Sequence, residues 1–163
     1  MSIDLQQAIR NSIQTEKSAM DFYLAGAAYL KDQGARRMFE LLAAEEREHA
    51  GHYYRIYQGT DIPSLEAFLD APPDAGSSWL ATMRRVIDDS FTEKEALELA
   101  MLKEKKLAEF LAGTAAQIAD PAVREVFELN ARETHNHYLL IEAEYARIMG
   151  MVDESDMDAF VRE

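Results

Sequence analysis

The sequence predicts an all-α protein: four long helices in a bundle, a long crossover between the second and third, and a short helix at the C-terminus. Three observations predict this. Gly (7) and Pro (4) are scarce, so long stretches are free of helix breakers. Apolar residues recur along those stretches at helical spacing, and no convincing period-2 strand appears. Shifting the sequence by 88 positions lays residues 8–57 on residues 96–145 without a gap and with 15 identities. One helical hairpin has therefore been written twice.

The elements follow in order. Ile3, Ile9, Ile13, Met20, Leu24 and Ala27 mark a first helix within residues 3–30. A short connection around Lys31–Gly34 leads to a second helix over residues 35–57, with Met38, Leu41, Leu42, Ile56 and Tyr57 on its apolar positions. Gly59 suits a stop just past its end. Residues 58–91 are too long for a turn and read as a crossover with two short helices, one after Ser64 and one around Trp79–Asp89. Thr92-Glu93-Lys94-Glu95 has the capping-box pattern, so the third helix starts near Thr92. Asp120-Pro121 reads as the cap and first residue of a fourth helix, which runs to about Gly150. A bundle with one long connection is the ferritin-like arrangement. Residues 1–150, crossover included, form one domain. The acidic tail 151–163 either docks a short apolar turn through Met157, Phe160 and Val161 or frays.

Composition excludes several classes. Lys plus Arg total 17 against 30 Asp plus Glu, a formal charge of −13, which argues against a nucleic-acid binder and against adhesion to an anionic membrane. There is no Cys, hence no disulfide framework, Cys-ligated metal or thiol nucleophile. MSIDLQQAIR lacks a basic segment followed by an apolar run, so a cytoplasmic protein without a signal peptide is expected.

The repeat changes how the polar residues read. Glu16 and His49 recur as Glu104 and His137 at the same separation. Glu46 and His49 form Glu-x-x-His, which places a carboxylate and an imidazole on one helix face. A di-metal carboxylate bundle takes one Glu from each of two helices and Glu-x-x-His from each of the other two. Glu16, Glu46, His49, Glu104 and His137 fit that plan. The fourth carboxylate, three residues before His137, is replaced by Thr134. Glu133 is one residue earlier and shares a face with His137, so it is expected to take the missing role, with a local π-bulge. Four carboxylates would balance two divalent ions, and mixed nitrogen and oxygen ligation is compatible with Fe, Mn or Zn. His52 and His135 are expected at the surface, His52 with the alternative of supporting a ligand. Glu40, Glu45, Arg47 and Glu48 are expected at the surface too. Phe22, Phe39, Phe110, Phe127 and Met38 are expected in the core.

Glu16-Lys17 with Tyr23, the run Leu42–His49, Glu104-Lys105 and the helical run ending His137-Tyr138 resemble the rubrerythrin branch of the ferritin-like superfamily over residues 3–150. The resemblance implies a non-haem centre of two Fe ions that reacts with hydrogen peroxide or dioxygen. Glu16 and Glu104 would be terminal ligands, Glu46 a bridge with Glu133 as counterpart, and His49 and His137 would each bind one iron. Tyr23 matches a tyrosine that hydrogen-bonds near the metals, a catalytic-site role set against that of an ordinary buried Tyr. Leu107 stands where these proteins commonly carry an extra Glu. Without Cys there is no rubredoxin-like module, so electrons would come from a separate donor. A homodimer is usual in the family, and Tyr53, Tyr54 and Trp79 are candidates for its face. Iron binding or storage without turnover, and a non-catalytic helical adaptor, remain open as alternatives.

Overall fold

The computed structural model describes residues 3–150. Its six helices are α1 (Leu5–Ala27), α2 (Gln33–Tyr54), α3 (Leu65–Asp70), α4 (Ser78–Asp88), α5 (Glu93–Ala116) and α6 (Pro121–Ile148). Each opens on a residue whose side chain accepts from an otherwise orphaned N–H of the first turn. Asp4 takes Gln7 N, Asp32 takes Ala35 N, Ser64 takes Ala67 N, Ser77 takes Leu80 N, Thr92 takes Glu95 N, and Asp120 takes Ala122 N and Val123 N. The starts expected after Ser64, Thr92 and Asp120 are where the sequence puts them. The tail expectation concerns residues 151–163, which lie outside the described residues.

The second helix ends earlier than expected. It stops at Tyr54, and the chain leaves it through tightened bonds from Ile56 N to Tyr53 O and from Tyr57 N to Tyr54 O, both 3.2 Å. Gly59 is therefore not its cap. The Tyr57 ring lies over Gly59, where a Cβ would collide with it, while its hydroxyl donates to Asp61 Oδ1 at 2.5 Å.

α1 lies along α2 and α5 along α6, so each hairpin of the repeat is a packed antiparallel pair. α3 and α4 occupy the crossover, and α4 packs on α1. That placement breaks the symmetry of the repeat. Phe22 on α1 is fully buried, whereas its counterpart Phe110 on α5 is 65% exposed, contrary to expectation. Phe39, Phe127 and Met38 are buried as expected. Tyr53, proposed for a dimer face, is fully buried instead.

The apolar interior is in two parts. One gathers Phe22, Tyr23, Phe39, Leu42, Leu97 and Ile141. The other gathers Ile9, Ile13, Tyr53, Leu111, Phe127 and Ile118. On each of the four long helices buried polar residues lie between these two sets, so a polar layer crosses the bundle at mid-height.

Asp32 serves two elements at once. It caps α2 and accepts from Arg147 Nη2 near the end of α6 at 2.7 Å. The Arg147 hydrogen bond, helped by the Ala35 N–H, holds its carboxyl below the usual value of 3.8. A depressed carboxylate stabilises the fold above its unfolded pKa and loses that contribution as pH falls through the folded value. Asp32→Ala is expected to cost about 1 kcal/mol in urea unfolding at pH 7. The gap to the parent should narrow as pH falls below 3.8 and the carboxyl takes up its proton at its lowered folded value.

Candidate metal centre

The polar layer takes side chains from all four long helices. α1 contributes Glu16, α2 Glu46 and His49, α5 Lys103 and Glu104, and α6 Thr134 and His137, none more than 5% exposed. Charged groups out of water are costly unless each finds a partner. They sit inward because they fall on the same stripes as the apolar residues. On α2 the buried stripe runs Phe39, Leu42, Glu46, His49, Tyr53, and on α6 it runs Phe127, Asn130, Thr134, His137, Ile141.

Glu46 is the hub. Its Oε1 is 3.1 Å from His137 Nδ1 and 3.5 Å from His49 Nδ1. The two imidazoles are parallel within 6°, their centroids 5.3 Å apart. Glu16 Oε2 is 3.7 Å from His49 Nδ1. Donor atoms of Glu46, His49 and His137 all lie within 4.8 Å of one another, as a single cation requires.

The outer nitrogens are held crosswise. His137 Nε2 meets Glu45 Oε2 at 2.6 Å, and His49 Nε2 meets Glu133 Oε2 at 2.5 Å. Glu45 and Glu133 are themselves a repeat pair, as are His49 and His137, so each hairpin's carboxylate backs the other hairpin's imidazole. Both carboxylates are partly exposed. They rim a recess of about 230 Å³ that also touches Glu48, His52 and Asn136. A carboxylate on the far nitrogen fixes the tautomer of a metal-binding histidine and strengthens it as a donor.

On α5, Glu104 Oε1 accepts from Lys103 Nζ at 2.9 Å and from the Tyr23 hydroxyl. Lys103 Nζ is also 4.0 Å from Glu46 Oε2 and 4.7 Å from the centre of the Tyr23 ring. Tyr23 is wedged edge-on between Phe22 and Phe39, with centroids 5.1 and 5.0 Å away.

Several of these buried atoms have no partner within the protein. They include Glu16 Oε2, both Glu46 oxygens, His49 Nδ1, Glu104 Oε2, Thr134 Oγ1 and His137 Nδ1. Buried polar atoms are nearly always satisfied, and a cluster of orphans made of carboxylate oxygens and imidazole nitrogens is the donor set a divalent cation takes. The residues therefore fit a metal ion centred on Glu46, His49 and His137.

Without a cation the layer holds protons instead. Burial, then the Glu46 charge, push the Glu16 carboxyl up to about 8. For His49, burial pulls downward, but the Glu16 contact and the neighbouring carboxylates outweigh it and lift the imidazole to about 10. His137 is raised as well, its burial outweighed by Glu46 and Glu104. Glu46 moves the other way: burial acts upward, yet His137, Lys103 and His49 together keep it below the usual carboxylate range.

Glu16, Glu46, His49, Glu104 and His137 thus converge. Tyr23 touches the cluster through Glu104. Glu133 meets it from the outer side, on Nε2 of His49. α6 is regular α-helix from Pro121 to Ile148, without the expected π-bulge. One residue turns the helix by about 100°, so the core-facing position before His137 belongs to Thr134 and Glu133 is carried to the rim. His52 is half-buried, with Nδ1 3.3 Å from Asn130 Oδ1, and His135 is exposed. Sequence reasoning missed Lys103 and the partnership of Glu45. Signals for both were present: Lys103 continues the spacing of Ala96 and Ala100, and Glu45 repeats as Glu133.

A four-helix bundle with a buried carboxylate–imidazole layer at mid-height defines a helical protein whose core could hold a metal ion. A rubrerythrin family model matches residues 7–145, and the chain belongs to the rubrerythrin family. No curated protein and no solved structure matches it. No helix among the described residues is long and apolar enough to cross a membrane.

Loading a divalent cation must expel the protons that Glu16 and His49 hold at neutral pH. Because these pKa values are raised, affinity should climb with pH through neutrality. The release should be roughly two protons per ion, measured with a pH indicator in weak buffer during a Mn²⁺ titration.

Proposed function

We propose that the centre binds iron and that the protein is a redox enzyme of rubrerythrin type, reducing hydrogen peroxide or dioxygen with electrons from a separate donor. The supporting observation is the placement of both imidazole Nδ1 atoms against one Glu46 oxygen in a buried layer. Bound iron would supply the redox chemistry. For peroxide the balance is cleavage of the O–O bond, with two electrons from the donor and two protons yielding two waters.

The chain's own residues hold and orient. Glu46, His49 and His137 form the grip, with Glu16 beside it. Glu45 and Glu133 keep the two imidazoles in a single tautomer, Nε2–H outward and Nδ1 inward. They also connect those Nε2 protons to solvent at the recess. Tyr23 donates to Glu104 and keeps that carboxylate in place. The two apolar cores above and below exclude bulk water.

Protein loaded anaerobically with Fe(II) and mixed with stoichiometric peroxide should oxidise its iron rapidly, read as ferric absorbance. The double variant Glu46→Ala with His49→Ala should lose iron binding. Iron that stays ferrous in the loaded parent would favour binding without turnover. Unchanged iron content in the variant would refute the centre. Glu45→Gln should weaken iron binding by roughly 10- to 100-fold while leaving the helical circular dichroism unchanged.

A further inference from the structure

The family resemblance implies two ions. The residues around Glu104 point to a different count. We propose that the Lys103 ammonium is a resident cation of the centre, standing in for a second metal ion, so that the chain binds one divalent ion per bundle. This rests on the reading of the cluster as a metal centre.

The first ground is position. Lys103 is 2% exposed, and its Nζ is 2.9 Å from Glu104 Oε1 and 4.0 Å from Glu46 Oε2. It bonds one carboxylate and faces the hub, the neighbourhood a second ion shared between Glu46 and Glu104 would need. It also stands over the faces of Tyr23 and Phe22, at 4.7 and 5.3 Å from the ring centres, an arrangement that suits an ammonium. Glu104 Oε1 is spent on Lys103 and Tyr23 together, which leaves that residue a single free oxygen.

The second ground is the donor set. The group of donors close enough for one ion is Glu46, His49 and His137. No second such group occurs among the described residues. The carboxylate that would complete another is Thr134, whose hydroxyl is neutral, and Glu133 lies on the far side of His49.

The third ground is charge. Glu16, Glu46 and Glu104 are the buried carboxylates of the layer, and Lys103 is its buried cation with a fixed side-chain charge. Those three negative charges are balanced by one ammonium and one divalent ion. A second divalent ion would leave two positive charges uncompensated in a low-dielectric interior, where unpaired charge is heavily penalised. Glu45 and Glu133 are partly exposed, so solvent screens them.

The count is tested directly. Parent protein at neutral pH, stripped of metal, is titrated with Mn²⁺ and separately with Fe(II) under anaerobic conditions. Bound metal is measured by elemental analysis, and the Mn²⁺ form is examined by electron paramagnetic resonance. One ion per chain with the six-line signal of isolated Mn(II) is expected. Two ions per chain, with the exchange-broadened signal of a coupled pair, would overturn the proposal and leave the metal centre standing. No bound metal in the parent would overturn the centre itself and the proposal with it.

Lys103→Met removes the charge at nearly constant length, and Lys103→Arg keeps the charge. The Met variant should bind its one ion more tightly, because Glu46 and Glu104 no longer face the ammonium. The Arg variant should remain at one. A Met variant that binds less metal than the parent while keeping its circular dichroism and melting temperature would overturn the proposal. Should Met at 103 prevent folding, the parent stoichiometry alone decides.

Discussion

Three carboxylates, two imidazoles and an ammonium share a buried layer between two apolar cores, and the bundle must neutralise them there. That constraint explains much that otherwise looks unrelated. Glu46 sits between both histidines because it must face both. Tyr23 turns its hydroxyl to Glu104 because that carboxylate has few other donors. The raised basicity of Glu16 and His49 is the protonic answer to the same excess of negative charge, and a bound cation is the metallic one. Burial of so many ionisable groups is a stability liability, so its presence at the centre of a well-packed bundle speaks for use.

Duplication is the device that builds the layer. Two hairpins with the same spacing, packed face to face, bring Glu16 near His49 and Glu104 near His137. They also cross the outer pairs, Glu45 to His137 and Glu133 to His49. Symmetry stops where the crossover begins. α4 packs more on α1 than on α5, and Phe22 is buried where its counterpart Phe110 is exposed. The second hairpin departs in its polar positions too, with Thr134 on α6 in the position equivalent to Glu46 and Lys103 on α5 where α1 has Thr15. The centre is an asymmetric descendant of a symmetric plan.

The four long helices, their caps at Thr92 and Asp120 and the converging residues Glu16, Glu46, His49, Glu104 and His137 were legible because periodicity and a repeat are local properties of the chain. The rest depended on what neighbours what. Gly59 looked like a helix stop, but Tyr57 and Asp61 fold over it, a contact no spacing rule contains. Phe110 looked like core because of its repeat partner, yet the two hairpins have different surroundings and it lies 65% exposed. Glu133 shares a face with His137, yet a face is wide: an angular offset small on paper takes its carboxylate to the other side of an imidazole ring. Lys103 was overlooked for a related reason. Lysine is so commonly solvated that its place on the inward stripe carries little weight until the ammonium is seen against Glu104.

Gly26 shows how far the demands of the centre reach. A Cβ there would stand 2.7 Å from Cε2 of Phe39, so the α1 backbone lies directly against that ring. Phe39 in turn meets Tyr23 edge-on, and Tyr23 holds Glu104. A single added methyl would be transmitted ring by ring to the carboxylate. The tolerance of this helix crossing for side-chain bulk is thus set by electrostatics elsewhere in the bundle, and the smallest residue in the chain is a spacer for its most crowded charges.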